Sequence, residues 1–155
     1  FRPYEEVLRY RTGARGDLDW SSSGLSARYG PSDKPAWKIR GRLEGLLCRS
    51  LAGLAYLEGG RKTDWFSAYL RGTIFIADNW DDRIYSYERD APGNFTVPAY
   101  YGRGWSLSAV SGCKLRLGRG RALKLYFRAS TKAYSFMKEP KPSVSEAKAQ
   151  AVVMF

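Results

Sequence analysis

The sequence predicts an all-β protein, an antiparallel transmembrane β-barrel, on three observations. Long stretches alternate strictly between apolar or small residues and polar ones, the polar side carries ladders of arginine and lysine, and an alternating run closes on an aromatic residue, Phe155. Successive side chains on a strand point to opposite faces, so each ribbon has one apolar and one basic face. Trp105–Ser130 is the clearest instance. Trp105, Leu107, Ala109, Ser111, Cys113, Leu115 and Leu117 alternate with Ser106, Ser108, Val110, Gly112, Lys114 and Arg116. After a Gly118-Arg119-Gly120 break, Leu123, Leu125, Phe127 and Ala129 alternate with Lys124, Tyr126, Arg128 and Ser130. Each arm of this hairpin has at least the roughly 9–11 residues that a tilted strand needs to cross a bilayer.

In chain order, Glu6–Arg15 places Leu8, Tyr10, Thr12 and Ala14 opposite Arg9, Arg11, Gly13 and Arg15. Gly16-Asp17 reads as a short turn, and Leu18–Tyr29 as a weaker strand with Leu25, Ala27 and Tyr29 its clearest apolar set. Gly30–Pro35 is a polar loop by composition. Trp37–Leu47 alternates Trp37, Ile39, Gly41, Leu43, Gly45 and Leu47 with Lys38, Arg40, Arg42 and Glu44. Cys48–Glu58 is open between a strand continued past a bulge, a returning strand and a helical turn, and Gly59–Asp64 reads as a turn. Phe66–Ala77 is a long strand with Leu70, Ile74 and Ile76 on one face and Tyr69, Arg71 and Thr73 on the other. Asp78–Gly104 is too irregular for one strand, Tyr134–Ser145 is a second polar loop, and Glu146–Phe155 is the last strand. The simplest count is seven strands, or nine if Cys48–Glu58 and Arg83–Arg89 each contribute one. The spacing also predicts short turns on one side and long loops on the other, as in bacterial outer-membrane barrels.

A chain of 155 residues is one domain, 1–155, or part of one. Its 26 Lys+Arg against 15 Asp+Glu, a formal net charge of +11, would ordinarily suggest nucleic acid. Here the cations alternate with apolar residues within strands, which makes them one wall of a sheet rather than a basic tail. Two cysteines, Cys48 and Cys113, do not make a disulfide framework. No apolar run of about 18 residues provides a transmembrane helix. Phe1 stands without an initiator Met or signal peptide, the expectation for a mature form, a trimmed form or a fragment.

A soluble lipocalin-like barrel has the same two-residue period, with its apolar face inward and its charges in water. Long regular strands, the ladders Arg9-x-Arg11 and Lys38-x-Arg40-x-Arg42, and the closing Val153 and Phe155 favour the membrane barrel. Trp20, Trp37, Trp65, Trp80 and Trp105 lie near strand ends and read as interface anchors.

The segment Trp80-Asp-Asp-Arg-Ile-Tyr-Ser-Tyr-Glu-Arg-Asp90, followed by Phe95-Thr-Val-Pro-Ala-Tyr-Tyr-Gly-Arg-Gly104, resembles the C-terminal β-barrel part of Bacteroidetes outer-membrane proteins with a helix-hairpin-helix (ComEA-like) domain. The resemblance implies the C-terminal strands of a larger barrel, and an odd strand count suits that. It also implies a Gram-negative outer membrane, with outer-membrane lipid, the remainder of the barrel or other subunits, and the barrel-assembly machinery as partners. Val153 and Phe155 resemble the assembly signal on the final strand of such barrels. No helix-hairpin-helix segment is present in the sequence, so nothing of that domain's DNA binding carries over.

Without a single histidine, Ser-His and Asp-His sites are excluded within the chain. No Cys/His cluster suits zinc and no Gly-Lys-Ser/Thr loop suits phosphate, so neither an enzyme nor a cofactor or metal is expected. Asp78, Asp81, Asp82, Glu88 and Asp90, interleaved with Arg83, Arg89 and Arg103, read either as a calcium or partner site or as a loop pinned by its own ion pairs and stacked tyrosines. Arg9, Arg11, Arg15, Lys38, Arg40, Arg42, Arg71, Lys114, Arg116, Lys124 and Arg128 form the basic wall. It reads either as a lumen attracting anions or a polyanion, or as a barrel interior balanced by acids on strands outside this chain. The functional expectation is a pore or transport component for anionic material. The alternatives are a non-conducting assembly barrel that scaffolds partners and a soluble ligand-binding β-barrel.

Overall fold

A computed structural model of the chain describes residues 12–21, 36–47, 50–118, 120–135 and 141–154. Seven long strands form one antiparallel sheet in the order β1 (Thr12–Ser21), β2 (Ala36–Leu47), β3 (Leu51–Lys62), β4 (Phe66–Ala77), β7 (Gly102–Gly118), β8 (Arg121–Tyr134) and β9 (Lys141–Met154). Two short strands, β5 (Ile84–Tyr85) and β6 (Ala99–Tyr100), pair with each other between β4 and β7. Every neighbour in the large sheet is next in sequence except β4 and β7, which enclose that insertion. Among the described residues the sheet does not close, and β1 and β9 are its edges.

Register carries one face across all seven strands. Asp19 pairs with Arg40, Arg40 with Glu58, Glu58 with Arg71, Arg71 with Ser108, Ser108 with Ser130 and Ser130 with Glu146. The row on the opposite face runs Leu43, Ala55, Ile74, Trp105, Ala133. The insertion folds back over the first, inner face. A 3-10 turn at Trp80–Asp82 leads into β5, the Glu88–Thr96 bridge extends the β5–β6 pairing, and together they make an inward hairpin. Its even-numbered residues Ile84, Ser86 and Glu88 are buried against the wall, whereas Tyr85 and Tyr87 face away. The hydrophobic core lies in this seam: Ala52, Leu54, Tyr56, Phe75 and Ala77 of the sheet meet Ile84 and Tyr100 of the hairpin.

Exposed apolar side chains and buried charged ones fall on opposite faces of the sheet. Leu43, Leu57 and Ile74 on the outer face are 68%, 60% and 62% exposed, whereas Glu58, Arg71 and Arg128 on the inner face are each 3% exposed.

Several expectations change. Gly16-Asp17 is not a turn: β1 runs through it with Gly16 opposite Leu43 and Asp17 opposite Arg42, the intact ladder overriding local turn chemistry. Of the ambiguous Cys48–Glu58, the part from Leu51 onward lies in β3, which continues through the supposed Gly59–Asp64 turn as far as Lys62. Gly60 fits this ladder because it has no Cβ: Tyr69 of β4 lies over it, and a Cβ there would come within 2.2 Å of the ring. The described residues hold nine strands, seven of them long; β3 and β5 are the two that the nine-strand alternative took from Cys48–Glu58 and Arg83–Arg89, while the Gly16-Asp17 division disappears and β6 is added. Tyr134–Ser145 is not all loop, since β9 starts at Lys141 and admits Pro142 as an edge strand can. The loop asymmetry also fails. The rim holding the Thr63–Trp65 and Gly118–Gly120 turns also holds the 22–35 connection, and the other rim mixes the short 48–50 link with the long insertion. Moving one turn into a strand reassigns the connections between rims. Glu6–Arg11, Leu25, Ala27 and Tyr29 lie outside the described residues.

Candidate functional site

The inner face changes character from one rim to the other, and the hairpin determines how. Nearest the rim at the β4–β7 insertion lies the apolar seam. Phe75 stacks at 5.1 Å on Tyr100 and meets Tyr134 edge-on at 6.0 Å. Lys132 reaches over the Tyr100 ring at 4.4 Å and donates to the Ala99 carbonyl at 3.1 Å.

Next comes an ionic belt joining hairpin to sheet. Glu58 on β3 accepts from Arg71 of β4 at 2.7 Å through one oxygen and from Arg89 of the hairpin at 3.0 Å through the other. Arg71 also donates to the Tyr87 carbonyl at 2.6 Å. The Arg89 guanidinium lies 3.9 Å from the centre of the Tyr69 ring, the same ring that covers Gly60. Gly60 therefore lets Tyr69 lie flat, and the flat ring becomes the platform on which the hairpin's arginine stacks. On the other flank Glu88 accepts from Arg128 of β8 at 2.5 Å and from the Tyr100 hydroxyl. Arg128 continues to Glu146 of β9 at 3.1 Å. At the tip, Asp90 accepts from Thr96 at 2.5 Å and lies 3.9 Å from Lys148, and Asn94 donates to Gln150 at 2.9 Å. One hairpin thus binds four strands, β3, β4, β8 and β9.

Burying ion pairs costs desolvation that Coulomb attraction roughly repays, so the belt contributes position more than net stability. Removing one partner is costly because it strands the other. Burial desolvates Asp90, yet the Thr96 hydroxyl, the Ala91 N–H, Arg128 and Lys148 together hold its carboxyl below the usual range. The Arg103 guanidinium lowers Asp78 likewise through a hydrogen bond at the exposed rim. Burial, then the adjacent Glu88 charge, push the Tyr100 phenol well up.

Of the expected basic wall, Arg15, Lys38, Arg40, Arg42, Arg71, Lys114, Arg116, Lys124 and Arg128 share the inner face by register. Arg9 and Arg11 lie outside the described residues, as does Phe155 of the expected assembly signal. Val153 is on the outer face of β9, half exposed. The wall is not uniformly basic: Glu44, Glu58 and Glu146 stand on it, so balancing acids lie within this chain. The expected acidic cluster does not converge. Asp78 pairs with Arg103, buried Asp82 accepts from Ser50 at 2.6 Å, Glu88 and Asp90 face the strands, and no grouping among the described residues is arranged to hold a metal. Asp81 is half-buried in the 3-10 turn before β5. The segment is pinned by ion pairs as the second reading had it: Asp78–Arg103 is its own, whereas Glu88, Arg89 and Asp90 pair with Arg128, Glu58 and Lys148 of the long strands. Glu58, Tyr69, Tyr100 and Glu146 escaped the sequence reading. For Glu58 a signal existed in its even-numbered place beside Leu54 and Tyr56, had Leu51–Lys62 been taken as a strand.

The four tryptophans with described side chains divide between the rims. Trp37 and Trp65 lie at one, Trp80 and Trp105 at the other, all between 39% and 62% exposed. Comparison with family models, characterised proteins and solved structures finds no match.

Proposed function

We infer that the chain is barrel wall in a Gram-negative outer membrane, a pore or transport component whose lumen faces the hairpin and takes anionic material. One observation carries the reading: large apolar side chains stand exposed across one face while arginine and glutamate are buried on the other. Fully burying a Leu or Ile is worth about 1.5–3 kcal/mol, so leaving Leu43, Leu57, Leu70, Ile74, Ile76, Leu107 and Phe127 half in water forgoes roughly 5–10 kcal/mol. That is about the whole net stability of a domain, and it weighs against the soluble ligand-binding barrel. Hydrocarbon removes the penalty.

Dimensions support the same reading. A 12-residue strand such as β4 is about 40 Å long, and a tilt of about 45° brings it near the 25 Å apolar band of such barrels. Tryptophans at both rims fit the two interfaces. The resemblance of Trp80–Gly104 to outer-membrane barrels of helix-hairpin-helix proteins belongs to this proposal, as do the larger barrel and its assembly partners.

The hairpin favours a second reading, a non-conducting scaffold, because its ion pairs fasten it across the inner face. Planar-bilayer recording separates the two. Anion-selective steps that grow when Arg83–Val97 is replaced by a short Gly-Ser link support a lumen narrowed by the hairpin. Silence from both the intact and the shortened protein supports the scaffold.

A further inference from the structure

Beyond Tyr69 the inner face has a zone that the ionic belt leaves unused. At the rim with the two tight turns, a cavity of about 240 Å³ is lined by Lys62, Lys114, Lys124, Ser67 and Tyr126, with exposed Asp64 its one acid. Lys114 and Lys124 are direct partners on β7 and β8, the arrangement in which like charges repel. Neither takes part in an ion pair among the described residues, where Glu44, Glu58, Asp78, Glu88, Asp90 and Glu146 are engaged by Arg15, Arg71, Arg89, Arg103, Arg128 and Lys148. The buried charges of this face, Glu58, Arg71 and Arg128, are paired, whereas these two half-buried lysines stand opposite each other.

Gly112 shapes the floor. A Cβ there would lie 3.0 Å from the Ser67 hydroxyl and 3.0 Å from the Tyr126 ring, so its absence lets those two side chains approach each other over Gly112, one register row from the Lys114–Lys124 pair. Three ammonium groups and two hydroxyls line the cavity against the single Asp64 carboxylate, a net charge of about +2. A monovalent carboxylate would leave most of that charge unanswered, whereas a phosphate group carries up to two charges and three or more acceptor oxygens.

We propose that this cavity is a phosphate-binding site for a free phosphate or a phosphate monoester. It deepens the anionic-lumen reading and rests on it only for the route by which the anion arrives. Calorimetric titration of the folded, detergent-solubilised protein with inorganic phosphate tests it without any conductance. A parallel titration uses phosphatidic acid in mixed micelles. Saturable heat with inorganic phosphate assigns a water-borne ligand, and saturation by phosphatidic acid alone assigns a lipid headgroup; either supports the site. Lys114→Gln and Lys124→Gln are each expected to weaken binding several-fold, and at least tenfold together. Lys141→Gln, the same charge loss at the opposite rim, is expected to leave binding unchanged. Saturation by neither probe overturns the site, and so does equal weakening by all three substitutions. Binding without conductance leaves the site standing and sinks the lumen reading.

Discussion

Glu58 illustrates how one side chain organises the inner face. Both of its oxygens are used, one by the wall and one by the hairpin. Glu58→Gln keeps the shape and removes the charge, leaving the two arginines, one of them buried, without their carboxylate. It should cost about 3–5 kcal/mol, read as a lower temperature for loss of the compact, heat-modifiable form in electrophoresis. An unchanged transition would mean the pair is ornamental. Acid gives a second test. Asp78 and Asp90 have lowered pKa values. Their contribution is fully present above the unfolded value near 3.9 and lost as pH falls through the lower folded value. Exchange protection at the Glu88 and Asn94 amides, bonded to the Thr96 and Ala91 carbonyls, should therefore be constant from about pH 8 to 5. Loosening is expected only below about pH 4, and loosening near pH 6 would contradict the assignment of these carboxylates.

Among the elements, β2, β4 and the β7–β8 hairpin were legible because alternation is a local signal. β3 was not: Gly53, Gly59 and Gly60 look like turn chemistry, and only the Tyr69 ring across the ladder makes Gly60 a strand residue. The inward hairpin was visible only as the optional strand Arg83–Arg89, for a related reason. Ile84, Ser86 and Glu88 alternate over too few residues to stand out, and their partners Arg128 and Tyr100 are remote in sequence. Charges at Glu88 and Asp90 could be seen in the sequence, but their destination across the sheet could not. Gly60→Val follows from this geometry. Its side chain collides with the Tyr69 ring and dislodges the Arg89 stack, so a loss of about 2 kcal/mol or more in unfolding free energy is expected. Gly72→Val, with no atom within 4 Å of its Cβ position, should cost far less. Equal losses would argue that the ring does not depend on the glycine.

For the whole molecule, the decisive quantity is which face meets hydrocarbon. If the outer face does, arginine at Leu57 or Ile74 should destabilise the membrane-folded form by about 2–4 kcal/mol near mid-depth. Arginine at inner-face Ser130 should be tolerated better. The most direct measurement places single spin labels at Leu57, Leu70 and Ile74 on one face and at Ser106, Ser108 and Ser130 on the other, in a background with Cys48 and Cys113 replaced by serine. In liposomes, oxygen should relax the first set strongly and a water-soluble nickel chelate should not; the second set should lack that lipid signature. Outer-face labels relaxed by the nickel chelate as readily as a free peptide would contradict the account.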